Sequence, residues 1–242
     1  MTPAADPNGN DSPRGVTNEE SSDDAQAFYG RWALLYDLLA RRTPGIAALR
    51  KQAALACRLE PGDTVVEMGC GTGANLPYLA DQVGPTGTVI GIDFTGPVLE
   101  RARRATANYE NVHVIRGNAT APPLEGPVDA VLATFVVGML EDPAGVVDDW
   151  CELLSPNGHL VLVNAARSEG RFAPVVNALF TSVVIFSTPP TTKLRYEEDL
   201  TATLDERITA AHERLRTRSS AVAEARHAGG IVRLTGGRIA TE

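Results

Sequence analysis

The chain has 242 residues, 43% of them hydrophobic, which suffices for one substantial core but hardly for two. Its formal net charge is -8 and the sequence has no basic patch, which disfavours nucleic acid as the main partner. No continuous apolar run approaches the ~18 residues that a membrane span requires, and the N-terminus lacks the charge and apolar pattern of a secretion signal.

The three cysteines, Cys57, Cys70 and Cys151, stand far apart in the sequence without CxxC or zinc-type spacing. An odd number of isolated cysteines is typical of reduced thiols in a reducing compartment. We therefore expect a cytoplasmic protein without a structural disulfide, and the sequence predicts no metal site.

Residues 1–24 are rich in Pro, Asn, Asp, Ser and Gly and nearly free of large apolar side chains. Such a segment cannot bury enough apolar surface to offset chain entropy, so we predict a disordered acidic tail and a single domain over residues 25–242. The domain opens with FYGRWALLYDLLA, whose apolar residues have helical spacing. A second helix is expected from Ile46 to Leu59.

Strands and helices then alternate along the chain. Strands are predicted at residues 64–68, 88–94, 111–119, 128–137 and 159–166, and helices at residues 97–109, 142–154 and 196–227. The strands are almost continuously apolar, as expected where helices cover both faces of a sheet. The last run, IVRLTGGRIATE, predicts a hairpin around Gly236 and Gly237. The fold class is thus α/β, an open, mostly parallel, seven-stranded sheet with a C-terminal antiparallel hairpin.

The stretch VVEMGCGTGAN (residues 65–75) follows the first predicted strand and carries three glycines, Gly69, Gly71 and Gly73. Glycine allows the backbone to turn sharply and to approach a ligand without an intervening Cβ. The following helix offers free N–H groups to an anionic group, and ligands of open α/β sheets bind at such strand ends.

Two classes of cofactor compete for this loop. The dinucleotide pattern GxGxxG/A is formally matched, with Asp93 at the end of the second strand, and predicts an NAD-dependent oxidoreductase. S-adenosylmethionine is the alternative, because Glu67 precedes the loop where a carboxylate can bind the methionine ammonium, whereas a pyrophosphate is repelled by that charge. The terminal hairpin also differs from a purely parallel dinucleotide fold.

The order of these motifs resembles the class I S-adenosylmethionine-dependent methyltransferases, whose fold is Rossmann-like. VVEMGCGTG is similar to their glycine motif, IGIDF to their acidic motif, and GNATAPP, VDAVLATFVV and LSPNGHLVLVN to the three that follow. The resemblance covers about residues 28–166. FYGRWALLYDLL is similar to the N-terminal segment of the quinone and phosphatidylethanolamine methyltransferases, which implies that Tyr36 lies near the methionine end of the cofactor.

The resemblance implies a cofactor site whose members are Tyr36, Glu67, Gly69, Gly71, Gly73, Asp93, Phe94, Asn118, Ala119 and Thr134. Asp93 is expected to accept hydrogen bonds from both ribose hydroxyls, and Glu67 to bind the ammonium or only to order the loop. Phe94 is expected on the adenine face or in the core. Asn118 stands where the family often has aspartate, and therefore binds adenine without charge. Thr134 and Phe135 line the methionine end or pack in the core.

The sequence shows no Ser/His/Asp set, and its four histidines are assigned structural roles. This agrees with transfer of an already activated methyl group, for which alignment of donor and acceptor is the main requirement. The apolar stretch 172–186, within residues 167–195, is predicted to cap a lipophilic or aromatic acceptor, to pack as a buried helix, to form a dimer face or to contact a membrane peripherally. A non-catalytic scaffold that binds the cofactor stays an alternative to an enzyme.

Overall fold

The computed structural model describes residues 45–124, 126–165, 200–227 and 230–240. Its strands are β1 Thr64–Met68, β2 Thr88–Asp93, β3 Val112–Arg116, β4 Val128–Thr134, β5 Leu154–Ala165, β6 Ser219–His227 and β7 Val232–Ile239. Its α-helices are α1 Ile46–Ala56, α2 Leu76–Val83, α3 Gly96–Ala105, α4 Pro143–Glu152 and α5 Leu200–Arg218, and a 3-10 helix spans Val137–Met139. The predicted tail, Tyr36 and the predicted cap lie outside the described residues.

The strands form one sheet in the order β3-β2-β1-β4-β5-β7-β6. The first five pair in parallel, and β7 is antiparallel to both of its neighbours, β5 and β6. The predicted fold class is therefore confirmed. The chain runs outward from β1 to β3 and then returns to β4, so the order reverses between β1 and β4, where open α/β sheets bind ligands.

Helices cover both faces of the sheet, which explains why the central strands are apolar without alternation. Val65 packs with residues of α1, α2 and α3 on one face, and Val66 packs with α4 and α5 on the other. Trp150 of α4 is fully buried in the second cluster. The two clusters hold the carboxyl edge of the sheet in place beneath the candidate site.

The C-terminal third corrects the sequence-based prediction. The helix expected through His227 ends at Arg218, and Ser219–His227 is strand β6. The Ala, Glu and Arg residues of this segment favour helix locally, but pairing with β7 decides its conformation. The antiparallel pair exists, but it is formed by β6 and β7, and Gly237 lies inside β7 and not in a turn. A Cβ at Gly237 would lie 2.9 Å from the Leu215 side chain of α5, so this glycine permits close packing.

Smaller differences concern strand ends. β3 and β4 end three residues earlier than predicted, at Arg116 and Thr134. Phe135 directly follows β4 with a φ of 59°, a conformation that bulky residues rarely adopt and that cannot continue a strand. β5 begins at Leu154, because the predicted Ser-Pro-Asn-Gly turn is an irregularity within the strand, with Asn157 at a φ of 65°.

In the portion of the chain that the structure describes, no helix combines the length and the apolar character needed to cross a bilayer.

Candidate cofactor site

The carboxyl ends of β1, β2 and β4 bring the predicted site residues to one edge of the sheet. Met68, the last residue of β1, pairs with Ile92 of β2 on one side and with Ala133 of β4 on the other. Asp93 and Thr134 are the next residues of those two strands. Asp93 and Thr134, which are far apart in sequence, thus flank the glycine loop that leaves β1.

The three loop glycines all have positive φ, 67° at Gly69, 53° at Gly71 and 75° at Gly73. A Cβ at Gly69 would collide with the Val136 side chain, and one at Gly73 would lie 3.0 Å from the Cβ of Ala102 in α3. A Cβ at Gly71 would meet no atom of the described residues within 4 Å. Gly69 and Gly73 therefore permit close packing, whereas Gly71 borders open space in which a ligand can approach the backbone.

The Asp93 carboxylate links the glycine loop to the end of β2. Its Oδ2 accepts a hydrogen bond from the Gly71 N–H at 3.0 Å, and its Oδ1 accepts one from the Thr95 N–H at 2.8 Å. Asp93 is not the N-cap of α3, since Thr95 occupies that position. Each carboxylate oxygen can accept a further hydrogen bond, so binding of a ribose diol is compatible with this geometry and stays a prediction.

A buried polar cluster lies beneath the loop, and we call Glu67, Asn75 and Thr134 the Glu67 triad. The Asn75 amide donates to Glu67 Oε1 at 2.5 Å and to Thr134 Oγ1 at 3.1 Å. The Thr134 hydroxyl donates to Glu67 Oε1 at 3.0 Å. Glu67 Oε1 therefore connects the end of β1 to Asn75 and Thr134, and both predicted roles of Glu67, binding the ammonium or only ordering the loop, stay predictions.

The other carboxylate oxygen of the triad has no such support. Glu67 is 0% exposed, and its Oε2 is buried without a hydrogen-bond partner among the described residues. Burial raises the pKa of Glu67 to about 7, against the opposing effect of the hydrogen bonds from Asn75 and Thr134. A buried acceptor without a donor is destabilising, and a cationic ligand group would satisfy it.

Asn75 was not predicted as a site residue, although it is the last residue of the quoted loop. It occupies the N-cap of α2, where asparagine usually accepts a hydrogen bond from the helix backbone, but it makes no side-chain cap. Its side chain turns to Glu67 instead. The sequence signal was an asparagine eight positions after an acid, and only the fold brings the two together.

The remaining predicted residues lie around the same edge. Phe94 directly follows β2 and is 51% exposed, so it is not a core residue, and its contact with adenine stays a prediction. Asn118 is exposed, and its Oδ1 already accepts from the Thr120 N–H at 3.0 Å. The Ala119 carbonyl accepts from the Trp150 indole N–H at 2.8 Å, which anchors the segment after β3 to α4. Phe135 packs against the core beside β4.

A second buried polar cluster contains His212 of α5. Its Nδ1 lies 2.7 Å from the Thr235 hydroxyl, and its Nε2 lies 3.2 Å from Asn164 Oδ1. Burial, followed by the charges of Arg233 and Arg216, lowers the pKa of His212 to about 3, so the ring is neutral. The imidazole joins α5 to β5 and β7, a structural role like the one expected.

The chain is similar in sequence to known methyltransferases. A family model described as a methyltransferase domain matches residues 66–162, from β1 into β5. The chain is 34% identical over 157 residues to the phosphatidylethanolamine N-methyltransferase of Cereibacter sphaeroides, covering 62% of this chain and 73% of that protein. A demethylmenaquinone methyltransferase of Staphylococcus aureus is 31% identical over 119 residues, which are 49% of each chain.

Other relatives match over less of their length. An arsenite methyltransferase of Halobacterium salinarum is 31% identical over 113 residues, 46% of this chain and 29% of the relative. The chain thus spans half or less of the length of two of these three relatives. The solved structure of an S-adenosylmethionine-dependent methyltransferase from Aquifex aeolicus has a TM-score of 0.53 at 20% identity, over 81% of this chain and 94% of that one, and shares the fold.

The residues at the sheet edge fit S-adenosylmethionine better than a dinucleotide. Within the part of the chain that the structure describes, Glu67 Oε2 has no partner, which suits the ammonium of a methionine group and opposes a pyrophosphate, and the backbone at Gly71 has room for a ligand beside it. The motif order, the strand order and the matches agree. The chain belongs to the class I S-adenosylmethionine-dependent methyltransferases.

Proposed function

We propose that this protein is an enzyme that transfers the methyl group of S-adenosylmethionine to a small, lipophilic or aromatic acceptor. The observation that carries the proposal is the Glu67 carboxylate, which is fully buried beneath the glycine loop and has one oxygen without a partner among the described residues. A nicotinamide dinucleotide would place its pyrophosphate at this glycine loop, and that group carries negative charge and no N–H donor for the oxygen. The rival oxidoreductase is therefore disfavoured by electrostatics as well as by family membership.

Each predicted site residue has a defined task in this proposal. The cofactor, when bound, supplies a sulfonium methyl group that is already activated for displacement. Asp93 accepts the ribose hydroxyls while it holds Gly71, and Glu67 binds the ammonium. Phe94 presents an exposed ring to the adenine. Tyr36, outside the described residues, is proposed near the methionine end. The protein is proposed to contribute mainly alignment and exclusion of water.

The adenine contact is proposed to be weak. Asn118 replaces the aspartate that the family often carries, and its Oδ1 already accepts from the Thr120 N–H. A second hydrogen bond from the adenine amino group to this neutral oxygen lacks charge assistance. Most of the specificity for the nucleoside is then expected from Asp93 and Phe94.

The acceptor is proposed from two sources. The phosphatidylethanolamine and demethylmenaquinone methyltransferases among the relatives are named for lipophilic acceptors. The stretch 172–186, outside the described residues, is apolar enough to cap such a molecule. Acidic residues outnumber Lys and Arg by 30 to 22, which disfavours nucleic acid as the acceptor.

Arsenite is disfavoured as the acceptor by the state of the thiols. Soft arsenic(III) binds thiolates, and Cys57, Cys70 and Cys151 are all free but buried. Burial raises the pKa of each, to about 11 at Cys151, and the negative charge of Glu67 adds to the effect at Cys57 and Cys70. Thiols in this state are poor ligands. Three free thiols also accord with the proposed cytoplasmic location.

The test is a calorimetric titration with S-adenosylmethionine, S-adenosylhomocysteine and NADH at low and molar salt. We expect micromolar binding of both adenosyl ligands and none of NADH. Binding of NADH alone would return the loop to the dinucleotide class. Radiolabelled methyl transfer to phosphatidylethanolamine vesicles, a demethylated naphthoquinol and arsenite then tests the acceptor. Transfer to arsenite alone would contradict the lipophilic acceptor, and cofactor binding without transfer to any acceptor would favour the scaffold.

A further inference from the structure

The Glu67 triad treats the two oxygens of one carboxylate very differently. Oε1 accepts from both the Asn75 amide and the Thr134 hydroxyl, at 2.5 and 3.0 Å. Oε2 has no partner among the described residues, although the side chain is fully buried. The Asn75 amide also donates to Thr134 Oγ1, so its N–H groups all point into the triad. This arrangement fixes the plane of the carboxylate and leaves Oε2 without a donor among the described residues.

The charged groups around Glu67 do not supply the missing partner of Oε2 among the described residues. Arg50 of α1 acts on Glu67 in favour of the carboxylate, and Asp93 of β2 acts against it. The two nearby thiols, Cys57 and Cys70, are buried and protonated. The balance is dominated by burial, which raises the pKa of Glu67 to about 7. Near neutral pH, and without a ligand, a substantial fraction of Glu67 therefore carries a proton.

We propose that Asn75 and Thr134 are positioning residues that direct Glu67 Oε2 toward the ammonium of the cofactor, and that cofactor binding releases a proton from Glu67 to solvent. The inference deepens the proposed function and rests on it. The buried site can hold either a proton on Glu67 or the ligand ammonium beside its carboxylate, and the second excludes the first. The two neutral donors hold the oxygen geometry without cancelling the charge that the ammonium requires.

The pH dependence of binding follows from this exchange. The pKa of Glu67 is higher in the free protein than in the complex, so affinity rises with pH until the free protein is deprotonated. With a pKa of about 7, affinity is expected to fall about fivefold from pH 7 to pH 6. Above pH ~8 affinity falls again, because the ligand α-amino group loses its own proton.

Calorimetry at pH 6 in two buffers of different ionisation enthalpy measures the proton directly. S-adenosylhomocysteine carries the amino acid group, and 5′-methylthioadenosine shares the nucleoside but lacks the ammonium. We expect release of nearly one proton per S-adenosylhomocysteine and none with 5′-methylthioadenosine. Pairing the two ligands separates the Glu67 contact from every other contact in the site.

Variants test the positioning role. Thr134→Val keeps the shape but removes the hydroxyl, and we expect it to move the pH midpoint of S-adenosylhomocysteine affinity upward while 5′-methylthioadenosine affinity stays constant. Thr134→Ser restores the hydroxyl and should recover the midpoint. Asn75→Leu should have the larger effect. Thr106→Val is the matched control, because Thr106 is buried and its hydroxyl donates to the Ala102 carbonyl in α3 at 2.9 Å, away from the Glu67 triad.

The outcomes separate this inference from the proposed function. Binding of S-adenosylhomocysteine without proton release, or with the same pH profile as 5′-methylthioadenosine, would overturn the inference and leave the methyltransferase proposal intact. A folded protein that binds neither adenosyl ligand would overturn both. An equal loss of affinity for the two ligands in Thr134→Val would reduce Thr134 to a structural role.

Discussion

The Glu67→Gln substitution should stabilise the cofactor-free protein at alkaline pH. Glutamine has nearly the shape of glutamate and can still accept from Asn75 and Thr134 through its amide oxygen. It carries no charge, so it does not incur the cost of a buried carboxylate. The same change removes the group that is proposed to bind the ammonium, and stability and cofactor affinity should therefore move in opposite directions.

The magnitude follows from the pKa of Glu67, which burial raises from its ordinary value of 4.5 to about 7. The folded protein binds this proton more tightly than the unfolded chain does. The associated stability is fully present below pH 4.5 and is lost as the pH rises through about 7. Between pH 5 and pH 8 the loss amounts to about 2–3 kcal/mol, at 1.36 kcal/mol for each pKa unit.

Urea denaturation of the cofactor-free protein measures this effect as a double difference. The free energies of unfolding of wild type and Glu67→Gln are compared at pH 5 and again at pH 8, and the two differences are subtracted. A glutamine amide N–H left without a partner has its own cost, but that cost is the same at both pH values and cancels. Glu100→Gln is the control, because Glu100 lies at the surface of α3 with its side chain 61% exposed.

The expected result is a gain of about 2–3 kcal/mol for Glu67→Gln at pH 8 relative to pH 5, and no comparable gain for Glu100→Gln. A double difference below about 1 kcal/mol would refute the reasoning, because a fully buried, titrating carboxylate requires more. It would also mean that Glu67 of the cofactor-free protein holds no proton that cofactor binding could release.

Three further predictions concern other parts of the molecule. Asp93→Ala should weaken S-adenosylhomocysteine binding by about 1–3 kcal/mol, and unchanged affinity by calorimetry would remove Asp93 from the site. Gly71→Val should abolish binding with only about 1–2 kcal/mol lost in urea denaturation, whereas Gly69→Val should chiefly destabilise the fold; normal binding by folded Gly71→Val would place the ligand elsewhere. Thr235→Val should cost about 1–3 kcal/mol by leaving buried His212 without a donor, and Thr235→Ser should recover it; equal loss in both would deny the hydroxyl a role.

The order of elements could be predicted because each part of the pattern is local. Continuous apolar runs between turn residues indicated the parallel strands, and the glycines after Met68 indicated the loop at the sheet edge. The same logic failed at residues 219–227, where helix-favouring residues form β6. Strand pairing with β7 outweighs local propensity there, and no short window of sequence contains that partner.

The site shows the same division. The acid before the loop, Glu67, and the acid that ends β2, Asp93, were evident from their positions, and both lie at the predicted edge. The partner of Glu67 across the sheet is 67 positions away, and Asn75 has the sequence signature of an ordinary helix cap. The two predicted roles of Glu67 could not be separated from sequence, because sequence does not show that Oε1 accepts from Asn75 and Thr134 whereas Oε2 has no partner among the described residues.

The sequence by itself determined which groups are present: a glycine loop whose backbone can adopt positive φ, two acids at strand ends and a sheet buried on both faces. Only the tertiary structure decided that, among the described residues, Gly71 has no neighbouring atoms at its Cβ position and Glu67 Oε2 has no donor. Composition and spacing specify which groups a chain carries and where its backbone can turn. Burial and hydrogen-bond completion depend on strands that meet only after folding, and these set the charge state of Glu67.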